Sequence, residues 1–96
     1  MAPKRTITES TGNIFRDLGF PPHEAAVLLL RAEAAEALRN WMERERLTQA
    51  QAAKQLGISQ PRLSEIAQNK VELLSLDYLV GLCAKARLRL RLRLTA

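Results

Sequence analysis

Reactive side chains are scarce in this 96-residue chain: histidine and cysteine occur once each, as His23 and Cys83. Far apart in the sequence, they offer neither a metal cluster nor a nucleophile–base pair. No enzymatic activity, catalytic residue, metal site or cofactor is therefore expected. A lone cysteine forms no internal disulfide, which points to a reducing cytoplasm. The longest apolar run, Ala25 to Leu30, is six residues and too short to cross a membrane. Residues 1–10 carry Lys4, Arg5 and Glu9 with no apolar stretch, so no secretory signal is expected. Only four aromatics occur, Phe15, Phe20, Trp41 and Tyr78. Trp41 reads as a core anchor, His23 as a helix-start residue and Cys83 as a core side chain.

Basic residues outnumber acids by 15 to 10, but four of the arginines, Arg87, Arg89, Arg91 and Arg93, lie within the last ten residues. Without them the balance falls to +1. The high isoelectric point therefore describes a tail, and by itself it is a poor argument for nucleic-acid binding.

Residues 1–13, rich in Thr, Ser, Gly and Pro, read as a flexible N-terminal arm. Ile14, Phe15, Leu18 and Phe20 predict a short apolar turn or helix. Pro21 and Pro22 suit a helix start. Glu24 to Arg46 has no internal Gly or Pro, and Val27, Leu30, Ala34, Leu38 and Trp41 recur at spacings that trace one helical face. Thr48 is a candidate N-cap for a helix that Gly57 stops, Ser59 caps the next, and Ser75 caps another over Leu79, Leu82 and Cys83. A helical domain over 14–86 follows.

The informative stretch is 48–69. Two short helices meet through a tight turn at Gly57; Ala53 is small where they must cross, and Leu56, Ile58, Leu63 and Ile66 supply the wedge. That spacing predicts a helix-turn-helix. In such a unit the N-terminal residues of the second helix reach the bases of double-stranded DNA. Ser59, Gln60, Pro61 and Arg62 occupy that end. Thr48 and Gln49 open the first helix, and Gln68, Asn69 and Lys70 follow the second.

Leu47 to Lys70 resembles the helix-turn-helix of the XRE family, the phage-repressor-like regulators. More narrowly, Asn13 to Gly19, the Ala-rich helix and Ser75-Leu-Asp-Tyr-Leu79 resemble small HigA-type antitoxins encoded beside RelE/HigB-like toxins. The resemblance implies a helical bundle, a homodimer, an inverted-repeat operator at the protein's own promoter, and neutralisation of the toxin. It implies that Gln49 contacts phosphate, that Gln60 reads base edges, commonly adenine N6 and N7, and that Gln68, Asn69 and Lys70 lie where the loop after the second helix meets the phosphate backbone. Arg62 can pair with guanine or grip phosphate; Glu65 can accept from a cytosine amine or orient Arg62. The body is not acidic, as an antitoxin facing a basic toxin usually is, so the acids Glu24, Glu33, Glu36, Glu43 and Glu45 of the long helix are candidates for toxin contact.

The tail changes period. Residues 87–94 alternate strictly Arg-Leu, the signature of a strand with one apolar face. Leu88, Leu90, Leu92 and Leu94 are its dimerisation residues, because no other segment reads as a strand and the pairing must come from a second chain. The rival continues the last helix through residue 94. The expectation is thus an all-α, phage-repressor-like helix-turn-helix bundle with a C-terminal β-strand that pairs in a dimer. Its place is the cytoplasm, on the nucleoid, and its role repressor and antitoxin. A stand-alone regulator without a toxin, and an interaction module that has lost DNA binding, remain alternatives.

Overall fold

Local capping chemistry sets most of the helix boundaries. The computed structural model describes residues 13–94, with five α-helices: α1 (Ile14–Asp17), α2 (Pro22–Arg44), α3 (Gln49–Leu56), α4 (Gln60–Ala67) and α5 (Leu76–Lys85). A 3-10 turn, Val71–Leu73, joins α4 to α5. Residues 1–12 of the expected arm lie outside the described residues.

Asn13 caps α1: its Oδ1 accepts from the Phe15 N–H at 2.9 Å while its Nδ2 donates to the Ala25 carbonyl at 2.9 Å. One side chain thereby fixes α1 against the start of α2. Phe15 and Phe20 meet edge to face, 6.2 Å between centroids, across the intervening turn. Pro22 opens α2, where its missing N–H leaves no bond unmade.

The long helix α2 is the scaffold, and its buried face differs from the predicted one. Val27 is 38% exposed and Leu30 only half-buried, whereas Ala25, Leu28, Ala32 and Ala35 are buried beside Ala34, Leu38 and Trp41. The stripe is wider and displaced because α2 is covered by several elements, of which α5 makes the most extensive contact. Small alanines let those neighbours approach closely.

Thr48 forms a capping box on α3, accepting from the Gln51 N–H at 3.1 Å while the Gln51 Oε1 accepts from the Thr48 N–H at 2.9 Å. Gly57 ends α3 with φ 71°, a left-handed conformation that glycine adopts without strain. Lys85 Nζ donates to the Leu56 carbonyl at 3.3 Å and satisfies a second group at that helix end. Ala53, Leu56, Leu63 and Ile66 are buried at the α3–α4 crossing and Ile58 packs at its margin, as the wedge requires.

Ser75 caps α5 by accepting from the Tyr78 N–H at 3.2 Å. Hydrogen bonds from Ser75 and from the backbone at that helix start hold the exposed Asp77 carboxyl below its ordinary range. Leu79, Leu82 and Cys83 face inward. The helix stops at Lys85; Arg87 turns the chain with φ 61°, and the Leu88 N–H donates to the Cys83 carbonyl at 2.9 Å. The helical continuation through residue 94 is thereby excluded.

The expected strand over 87–94 is not formed either, and no strand occurs among the described residues. A strand exists only through bonds to a neighbour, and the described residues supply none. Of the tail leucines only Leu88 packs against the core; Leu90, Leu92 and Leu94 are exposed. No helix among the described residues is long and apolar enough to cross a membrane.

Candidate nucleic-acid interface

The first turn of α4 is solvent-facing on the side away from its core residues Leu63 and Ile66. Ser59 sets its direction by accepting from the Arg62 N–H at 3.3 Å, and Pro61 stiffens the same turn. Ser59, Gln60, Pro61 and Arg62 are all exposed. A shallow concavity along the helix is lined by Ser59, Pro61, Arg62, Ser64, Glu65, Gln68 and Lys70. Six of the residues predicted to meet DNA therefore share one surface, and Gln60 stands exposed in the same turn without lining it.

Arg62 is held from two sides. Its Nη1 lies 3.5 Å from the Glu65 Oε1, and its guanidinium sits 5.7 Å from the centroid of the Tyr78 ring on α5. Both members of the ion pair are partly exposed, so the pair adds little stability. Its effect is to narrow the rotamers of Arg62. Glu65 thus stands where it orients Arg62, the second of its two predicted roles. Gln68 is likewise steadied, its Nε2 donating to Ser64 Oγ at 2.9 Å. Thr48 and Gln49 are exposed at the start of α3. Thr48 is occupied by its capping box.

Asn69 has a second partner. It adopts φ 60° just past α4, and its Oδ1 accepts from Arg39 Nη1 at 3.3 Å while the same nitrogen donates to the Ile66 carbonyl at 3.1 Å. Arg39, from the middle of α2, therefore clasps the C-terminal end of the recognition helix. Burial lowers its pKa from the ordinary value and Glu36 nearby opposes that shift; an arginine remains charged regardless.

Arg39, Ser64 and Tyr78 are absent from the sequence-based set. Ser64 lies one turn before Gln68, a spacing that the sequence does show. Arg39 and Tyr78 come from other helices, and no local pattern signals them. Replacing Arg39 with Met should keep the apolar stem but free the end of α4. DNA affinity should then fall several-fold, about 1 kcal/mol, and equally for all sequences. Titration of specific and scrambled duplexes checks this; a loss confined to one sequence would contradict it.

The acidic candidates on α2 do not form one surface. Glu24, Glu43 and Glu45 are exposed, but Glu36 is buried and Glu33 half-buried. Glu36 therefore cannot present itself to a toxin as expected, since the bundle already covers it. Burial, with Glu36 close by, raises the Glu33 carboxyl above its ordinary range.

Two capped helices crossed at Ala53, with polar side chains carried outward on the second, define a helix-turn-helix DNA-binding regulator. The chain belongs to the helix-turn-helix domain family, whose sequence profile matches residues 14–95. No curated protein and no solved structure matches it.

Proposed function

We propose that the chain is an XRE-type repressor that binds an inverted-repeat operator at its own promoter as a homodimer, and that it serves as the antitoxin of a RelE/HigB-like toxin. The observation that carries the DNA part is the exposed first turn of α4, with Arg62 steadied by Glu65 and Tyr78. A side chain already restricted loses less freedom on binding a base. The antitoxin part rests on the resemblance of Asn13–Gly19, the Ala-rich helix and Ser75–Leu79 to HigA-type proteins. Its toxin-facing candidates are the exposed acids Glu24, Glu43 and Glu45 together with the exposed apolar residues Ile14, Leu18 and Phe20. The reading assigns no enzymatic activity, metal or cofactor, and places the protein on the cytoplasmic nucleoid. In the dimer the two tails, residues 87–94, pair as strands.

Footprinting on the upstream DNA of the gene tests the repressor. Protection of two half-sites with centres about one turn, ~34 Å, apart is the expected result. No protected sequence would refute operator binding. Affinity capture from the native host, tracked by mass spectrometry, tests the antitoxin: recovery of a short basic RelE-like protein is expected. Capture without such a protein, with the footprint intact, would leave a stand-alone regulator.

A further inference from the structure

The basic charge of the molecule is concentrated outside the reading helix. The charged residues along the α4 concavity are Arg62, Lys70 and Glu65, two cations against one anion, and Arg62 is already paired with Glu65. Without the four tail arginines the rest of the chain carries only +1. Attraction to phosphates supplies essentially all of non-specific DNA affinity and steers a protein to its site. The body of this chain provides little of it. Arg87, Arg89, Arg91 and Arg93 are all exposed, and none has an ion-pair partner among the described residues. Glu33 lines a channel between α2, α5 and the tail that Arg91 also borders, yet the two are not paired.

We propose that Arg89, Arg91 and Arg93 grip the phosphate backbone of duplex DNA flanking the half-site met by α4. The inference rests on the DNA-binding reading above and names the element that supplies its electrostatic attraction. The tail starts close to the reading helix. It leaves α5 beside the turn that leads into α4, where Lys85 Nζ donates to the Leu56 carbonyl one residue before Gly57. The Leu88 N–H, bonded to the Cys83 carbonyl, anchors that departure. Beyond it, among the described residues, the backbone of 89–94 makes no hydrogen bond. Six extended residues reach ~20 Å, more than the ~12 Å width of the major groove. Alternate residues of an extended segment share one side and lie ~6.6 Å apart. Charges recur every ~3.4 Å of axis along one strand of B-DNA, so each arginine has a phosphate of its own. The planar guanidinium fork suits phosphate oxygens in pairs. Pairing of two tails in the dimer leaves this side free, because period two puts the leucines on the other.

Salt titrations of the full chain on the footprinted operator and on a scrambled duplex, both with long flanks, test the grip. The variant replaces Arg89, Arg91 and Arg93 together with Gln; a second replaces all three with Lys. The positions are exposed, and circular dichroism should show the helices intact in both. Between about 50 and 200 mM salt, the Gln variant should flatten the slope of log affinity against log salt by ~2–3 per protomer. Its affinity for scrambled duplex should fall about tenfold or more at the low-salt end, with the ratio of operator to scrambled affinity nearly unchanged. The Lys variant should keep the wild-type slope. Trimming the operator to its half-sites should flatten the slope of the wild type and leave that of the Gln variant as it was. Equal slopes for wild type and Gln variant on the long duplex would overturn the grip and leave base reading by α4 standing. A Lys variant as impaired as the Gln variant would also overturn it, since charge would then not be the cause. Loss of single-stranded RNA binding in the Gln variant, with duplex binding intact, would move the arginines to RNA and overturn the contact with DNA. A wild type that binds no duplex would overturn the grip and the DNA-binding reading together.

Discussion

Replacing Gln60 or Arg62 with alanine should cost ~1–3 kcal/mol of operator affinity each and relax sequence preference at the bases they meet. The two positions are separated by a single residue in the first turn of α4, so the double variant need not sum the two losses. Arg62 should show the larger effect, since Glu65 and Tyr78 already hold its guanidinium near one orientation. Gln49→Ala and Lys70→Ala should behave differently, weakening all sequences alike and flattening the dependence on salt. Binding isotherms on the operator and on single-base variants separate the two patterns. Unchanged affinity and unchanged preference in both Gln60→Ala and Arg62→Ala would show that α4 is not the reading helix.

The largest effect on stability is expected from Leu63→Ala. Leu63 is fully buried where α4 crosses α3 and packs in the common core with Leu56, Ile66, Leu79 and Leu82. Removing a buried leucine from such a site costs ~2–5 kcal/mol. In a domain of this size each kcal/mol lowers the melting temperature by roughly 4–8 °C. Thermal or urea unfolding should therefore register a fall of about ten degrees or more. Leu73→Ala is the control: the side chain is exposed, and its stability change should stay within about 0.5 kcal/mol. Equal effects at the two positions would contradict the assignment of the core.

The parts of this architecture legible in the sequence are those governed by neighbours a few residues away. Thr48, Ser59 and Ser75 cap helices because a hydroxyl reaches an N–H three residues on. Gly57 stops α3 because a left-handed residue is needed there. The same locality made the exposed turn Ser59–Arg62 readable. The buried face of α2 was less so: Val27 and Leu30 look inward by size, yet alanines carry much of the packing, and their contribution depends on how close α5 comes. The clasp of Arg39 on Ile66 and Asn69 spans about thirty positions and leaves no periodic trace. The tail was legible as a pattern only. Whether its alternation becomes a strand depends on a second molecule, which no reading of one chain contains.

Cys83 carries a consequence of a different kind. Burial pushes its thiol up to about 11, and the Sγ lies 3.6 Å from the Ala34 carbonyl, at the contact between α5 and α2. A protonated, covered thiol does not react with alkylating reagents near neutral pH. Modification proceeds only through excursions that lift α5 away from α2. Because no other cysteine competes for the label, the modification rate counts those excursions directly. The chain thus carries a clock for the opening of its own central helix pair.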